Sequence, residues 1–307
     1  MRDVLSIQHE ITKAARDSLV KQGFLEIIPP VLGPVTDPGL RGAKRISVDF
    51  YGKEYKLMSS MILYKMLAAS ALGKIFAFSP CIRKESEKSA ETGRHLSEFW
   101  QIDCEIPEAT RDDAMSVAEQ LLHDVIKHVV EKKSETLKKL DSEVKIPKLP
   151  FKRLTHSEAI EMSRRLGFDV KDGEEIPWEA EKAISMEFDE PFFITDYPTG
   201  SRGFYDKISE KDPKKLLAFD LIYPQGFGEA VSGSKREDVY EHVVQKMRSV
   251  GEDPQHYAWY LELLKRGKIK PSAGFGFGLE RMTRFICGLQ KISDATPFPK
   301  LPGVHSI

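Results

Sequence analysis

Residues Arg83 to Glu105 read RKESEKSAETGRHLSEFWQIDCE. Just before them lies the apolar run from Lys74 to Ile82, KIFAFSPCI, which ends at Arg83 and Glu85. A polar stretch follows, and then a second alternating run carries Arg94, His95, Glu98, Asp103 and Glu105. Two such runs about a polar turn predict a β-hairpin with a long tip, presenting cations, carboxylates and a stacking ring from one sheet face. Burying this many charges is costly unless a charged ligand meets them. A nucleotide phosphate suits Arg83, and an adenine ring suits His95.

Far down the chain, Gly274-Phe275-Gly276-Phe277-Gly278-Leu279-Glu280-Arg281 runs into the helical pattern MTRFICGL. Glycine alternating with phenylalanine suits a strand with one face pressed against something flat, with Arg281 in the first turn of the helix that follows. No GK[ST] is present, so a Walker phosphate loop does not fit. A third piece, Gly23 to Pro30 (GFLEIIPP), follows the amphipathic stretch Val4 to Lys21.

Together these pieces resemble motifs 2, 3 and 1 of the class II aminoacyl-tRNA synthetases. RHLSEFWQIDCE is similar to the RHLxEFxxxDxE string of the aspartyl/asparaginyl subgroup, and Gly228 to Arg236 (GEAVSGSKR) to its GExxSGxxR string. The likeness runs from about Val4 to Pro299. It implies an α+β fold, a largely antiparallel sheet flanked by helices, and a homodimer built about motif 1, with the Ile28-Pro29-Pro30 corner at its interface.

The resemblance also implies roles for named residues. Arg83 would stabilise charge on the α-phosphate of ATP, and Arg281 would hold the γ-phosphate; these are the catalytic pair. Glu85 would lie near the adenine amino group and His95 would cap the ring, with Arg94, Leu96 and Gly278 completing the nucleotide site. Glu229 and Ser232 would hold Mg2+ beside the phosphates. Lys65 and Arg236 would grip a substrate carboxylate, with Asp103 at the amino group and Ser232 and Asp37 nearby. Asp37 belongs to Thr36-Asp37-Pro38-Gly39-Leu40-Arg41-Gly42, where the subgroup has a closing loop and where proline and glycine suit a hinge. The segment Leu57 to Lys65, LMSSMILYK, departs from the subgroup's QSPQLYK, since Ser59, Met61 and Ile62 replace glutamine, proline and glutamine.

The functional expectation follows from what the resemblance leaves out. Met1 leads at once into the motif 1 helix, with no anticodon-binding domain ahead of it. The charge balance, 46 Lys+Arg against 47 Asp+Glu, shows no basic footprint for a polyanion. The lysines of 127–152 are interleaved with acids and read as a solvated helix face. A core of this kind resembles the ammonia-dependent asparagine synthetase of archaeal type. That resemblance implies aspartyl-adenylate formation from L-aspartate and ATP, then attack by ammonia with release of AMP and no tRNA partner. Two other readings stay open: a truncated paralogue that charges tRNA or another acceptor, and an inactive regulatory paralogue. Asparagine is absent from all 307 residues. That suits an enzyme made during asparagine shortage, and it equally suits a heat-adapted chain with 30% charged residues.

Length and 41% hydrophobic content predict one domain over 1–307, with an insertion or lobe around 144–177. No apolar run reaches membrane-spanning length and no signal-peptide core is present, so a cytoplasmic enzyme is expected. Cys81, Cys104 and Cys287 form no CxxC pair and read as reduced core thiols, with Cys81 and Cys104 facing one another across the hairpin. His123 and His128 read as solvated. Helices are predicted over 6–21, 61–72, 113–139, 155–166, 178–186, 239–250 and 257–265. Strands are predicted over 27–31, 55–58, 75–83, 96–106, 192–196, 217–223 and 273–277.

Overall fold

The computed structural model describes residues 1–37 and 43–305, the side chain of Glu91 excepted. Helix α1 (Arg2–Lys21) opens the chain, followed by short strands β1 (Leu25–Glu26) and β2 (Leu32–Gly33). The hairpin β3 (Ser47–Phe50) and β4 (Lys53–Leu57) leads to α2 (Ile62–Leu72). Strands β5 (Ile75–Ile82) and β6 (Glu98–Pro107) form the long hairpin, whose tip coils into a 3-10 turn over Glu87–Thr92. Then come α3 (Arg111–Lys139), β7 (Lys152–Thr155), α4 (His156–Arg165), α5 (Trp178–Ser185) and β8 (Phe192–Thr195). The chain closes with β9 (Ala218–Tyr223), β10 (Gly228–Lys235), α6 (Tyr240–Ser249), α7 (Ala258–Lys265), β11 (Ser272–Gly278) and α8 (Leu279–Ile286).

Eight strands form one sheet in the order β1-β5-β6-β11-β10-β9-β8-β7, in which only the two outermost pairs, β1–β5 and β7–β8, run parallel. This is the mixed fold with an antiparallel-dominated sheet that the sequence predicts. Alternation along the central strands divides its two faces. Ile102, Cys104, Phe275, Phe277, Val231, Phe219 and Leu221 point to one side and pack on α1 and α3 in a continuous core. Asp103 and Glu105 on β6 lie in register with Gly276 and Gly274 on β11, which in turn pair with Ser232 and Ser234 on β10. Asp220 on β9 pairs with Ser232, so a row of polar residues crosses the opposite face. The long helix behind the core starts on a capping box, in which the Thr110 hydroxyl accepts from the Asp113 backbone N–H while the Asp113 carboxylate accepts from that of Thr110.

Four local expectations need correction. The strand predicted over 27–31 is absent: Leu25 and Glu26 pair in register with β5 and the Ile27 N–H adds a last bond to the Phe76 carbonyl, but Pro29 and Pro30 cannot donate to a ladder, and Ile28 is 97% exposed. Strand β10 escaped prediction because GEAVSGSK reads as a flexible loop, and pairing on both sides with β9 and β11 overrides that weak propensity. Cys81 lies opposite Phe99 and Cys104 opposite Phe76, so the two buried thiols do not face one another across the hairpin. Finally, the two helix histidines have partners: His123 Nδ1 lies 2.8 Å from the Pro147 carbonyl oxygen, and His128 Nε2 lies 2.7 Å from Glu10.

Candidate active site

The polar sheet face floors a cavity of about 400 Å³. Every site residue named from the sequence lines it, from Lys65 on α2 to Arg281 on α8. Arg83 and Arg281 therefore share one chamber. Asp37 is described and lines it too, whereas residues 38–42 of the expected closing loop lie outside the described residues.

At one end guanidinium groups converge. Arg83 leaves the end of β5 with its guanidinium carbon 5.0 Å from the centre of the Phe99 ring, while its Nε donates to the Ser59 carbonyl, 3.2 Å. Arg281, on the first turn of α8, donates to the Glu229 backbone oxygen at 3.1 Å and to its carboxylate at 3.2 Å. Arg94 lies 4.5 Å over the Trp178 ring and 3.9 Å from Glu181. Burial, with Arg281, Arg94 and Arg83 all adding repulsion, pushes His95 down to about 4, so its imidazole is neutral and free to stack at neutral pH. Burial raises Glu85 above the ordinary carboxylate range, against the pull of Arg83 and Arg281. This end is built to receive an anion.

The other end is almost closed. Lys65 donates to Asp103 at 2.7 Å and to the Phe275 carbonyl at 2.9 Å. Arg236 grips Glu105 with two parallel hydrogen bonds, Nε at 3.0 Å and NH2 at 3.1 Å. Its NH1 donates to Ser234 at 2.8 Å. All four charged groups are at most 3% exposed. Gly274 makes this packing possible, because a Cβ there would lie 2.0 Å from Glu105 Oε2 and 2.3 Å from the Cys104 carbonyl oxygen. Here the glycine–phenylalanine alternation finds its reason: phenylalanine fills the core while glycine clears room for a carboxylate. Asp103 Oδ2 is buried without a hydrogen-bond partner among the described residues, an acceptor aimed at something the chain itself does not supply.

Several lining groups gave no signal in the sequence. Trp178 and Glu181 come from α5, outside every motif, and burial raises Glu181 to about 7. Arg202 and Asp206 lie on the loop before β9, with Arg202 paired to the buried Asp220 at 2.7 Å. Arg202 NH1 also lies 3.5 Å from the Ser232 hydroxyl. Among the described residues, no cluster of three His, Cys, Asp or Glu could hold a metal by itself. Glu229 and Ser232 offer only hard oxygens, a set that fits a magnesium ion held largely by phosphate oxygens.

A family model for class II tRNA synthetases of the D, K and N type matches residues 1–302. The asparagine–tRNA ligase of Pyrococcus abyssi is 34% identical over 302 residues, covering 97% of this chain and 68% of that protein. Crystalline asparaginyl-tRNA synthetase from Pyrococcus horikoshii, complexed with asparaginyl-adenylate, superposes with a TM-score of 0.92 at 30% identity, over 100% of this chain and 70% of that one. Aspartyl-tRNA synthetase from Entamoeba histolytica gives 0.84 at 26% identity, over 99% and 59%. These relatives carry tRNA ligase names, which overturns both the expected ammonia-dependent asparagine synthesis and the expected lack of a tRNA partner. The physical reason lies in the inference used: an overall charge near neutral does not exclude a local nucleic-acid surface, and no feature of the cavity calls for ammonia as acceptor. Site and comparisons agree on one family, and the chain belongs to the class II tRNA synthetases of the aspartate, lysine and asparagine group.

Proposed function

We propose that the chain activates an amino acid of the aspartate/asparagine pair as its adenylate and transfers the aminoacyl group to tRNA. A single observation carries this reading. The anion-receiving end (Arg83, Arg94, Arg281) and the end holding Lys65, Arg236 and the unpartnered Asp103 oxygen open into the same cavity. An amino acid bound by its ammonium at Asp103 would point its carboxylate toward a triphosphate bound by the arginines.

The chemistry follows from that placement. The carboxylate oxygen attacks the α-phosphorus of ATP, pyrophosphate leaves, and a mixed anhydride remains. A ribose hydroxyl of tRNA then attacks the activated carbonyl and AMP leaves. Negative charge builds on the α-phosphoryl oxygens during the first step, where the Arg83 guanidinium, braced on Ser59 and Phe99, stabilises it without reorganising. Arg281 and Arg94 hold the pyrophosphate end, and His95, neutral, covers the adenine. Mg2+ held by Glu229 and Ser232 would neutralise phosphate charge. The exposed Ile28 corner supports a homodimer and three buried free thiols support a cytoplasmic setting; a lobe over 144–177 would hold α4 and lead into α5, which carries Trp178 and Glu181.

The test is ATP–pyrophosphate exchange with aspartate and with asparagine, followed by tRNA charging with whichever amino acid exchanges. Exchange together with charged tRNA is the expected result. Exchange without charging of any tRNA would remove the second half of the proposal, and absence of exchange with either amino acid would remove all of it.

A further inference from the structure

We propose that Asp206 is a specificity-determining residue, whose carboxylate beside the Arg236 guanidinium makes this end of the cavity select a carboxamide side chain over a carboxylate. The inference rests on the amino-acid activation proposed above and names which of the two substrates the site takes.

Asp206 is 6% exposed and lines the cavity. Its backbone pairs with that of Arg236 in an isolated antiparallel bridge, and its carbonyl oxygen accepts from Lys246 at 2.5 Å, so both ends of the residue are pinned. Oδ1 accepts from the Ser234 hydroxyl and lies 3.5 Å from Arg236 NH1. Oδ2 makes no hydrogen bond among the described residues.

Arg236 spends three of its five N–H groups on Glu105 and Ser234, which leaves two to meet a ligand. A donor and an acceptor therefore stand side by side, fixed by the same loop. A carboxamide matches that pair, its oxygen accepting from Arg236 and its NH2 donating to Asp206. A carboxylate offers only acceptors, so one of its oxygens would face the Asp206 carboxylate. The surrounding charges do not relieve this conflict: Lys65 is answered by Asp103, Arg236 by Glu105 and Lys246 by Glu237. Burial pushes Asp206 up to about 6, which leaves it ionised at pH 7.5.

The experiment compares asparagine with aspartate in ATP–pyrophosphate exchange at pH 7.5, for the intact chain and for Asp206→Asn. The unaltered chain should favour asparagine. The variant should shift the ratio of the two kcat/KM values toward aspartate by tenfold or more, a change of about 1.4 kcal/mol. A purely structural role would lower both values together and leave the ratio fixed, which would overturn the proposal. A natural preference for aspartate would overturn it while sparing the activation reading, whereas no exchange at all would overturn both. A second measurement does not depend on the variant folding. The asparaginyl sulfamoyl-adenosine analogue should raise the melting temperature of the unaltered chain more than the aspartyl analogue does, and the reverse order would refute the inference.

Discussion

Replacing Glu105 with glutamine should cost this protein about 3–4 kcal/mol of folding stability, because the change alters almost nothing except charge and one donor–acceptor match. Glu105 is fully buried, and its Oε1 accepts from Arg236 Nε at 3.0 Å and from Ser272 at 2.7 Å. Oε2 accepts from Arg236 NH2 at 3.1 Å and lies 4.0 Å from Lys65 Nζ. The glutamine NH2 group does least harm at the Oε2 position, yet there it still points at the guanidinium. One hydrogen bond is lost, and Arg236 keeps only a 3.5 Å contact with Asp206 as an anionic partner. A unit charge pair at 4 Å with an effective dielectric near 20 is worth about 4 kcal/mol, and breaking one half of a buried pair costs about 3–5 kcal/mol. Against a typical total of about 5–15 kcal/mol, that is a large fraction. Urea unfolding at pH 7.5 reads the loss as a lower midpoint at constant slope. Replacing both partners, Glu105→Leu with Arg236→Leu, should cost clearly less than the sum of the two single changes. A loss below about 1 kcal/mol for Glu105→Gln, or strict additivity in the double variant, would show that the pair does not organise this end of the cavity.

Other predictions follow from the same geometry. Arg83→Ala should lower the pyrophosphate-exchange rate by about two to three decades while barely moving the melting temperature, since Arg83 is partly exposed and contacts the protein mainly through Ser59 and Phe99. An equal loss of rate and fold would contradict its assignment to the α-phosphate. Gly274→Ala should destabilise by at least about 1–3 kcal/mol, because the new methyl meets backbone and a buried carboxylate rather than the end of a flexible chain. Guanidinium titration of the two proteins decides it. Glu280, whose carboxylate accepts from the Trp100 backbone N–H, is pushed up to about 7 by burial. Between pH 4.5 and 7 the native state thus holds a proton that the unfolded chain has released, and Glu280 makes stability fall as pH rises through that window. The stability of the unaltered chain relative to Glu280→Gln should therefore decline from pH 5 to pH 8, and a flat difference would contradict the assignment.

Much of the cavity was legible in the sequence because local pattern and long-range placement coincide there. The alternation around Arg83 and Asp103 specifies a hairpin, and its period of two puts Asp103 and Glu105 on one face without knowledge of any neighbour. The Gly274–Gly278 run specifies a strand followed by a helix start, and so places Arg281. Function read from what lies outside those motifs failed. A near-zero net charge sums over the whole surface and carries no information about one binding face.

What the chain alone determined is thus the set of groups that line one cavity, since Asp103 and Arg281 sit in elements whose period is written in adjacent residues and Arg83, Glu85, Arg94 and His95 flank the two strands of one hairpin. Tertiary structure alone decided how those groups are paired. Glu105 with Arg236, Asp103 with Lys65 and Arg94 with Trp178 join residues 38 to 131 positions apart, or bring a helix from outside the motifs into contact with them. Whether a buried charge is answered, and by which partner, depends on distances of a few ångströms between separate elements. Propensity and periodicity describe only the element itself, so the acceptor at Asp206 became visible only when β9, β10 and the preceding loop had closed around Arg236.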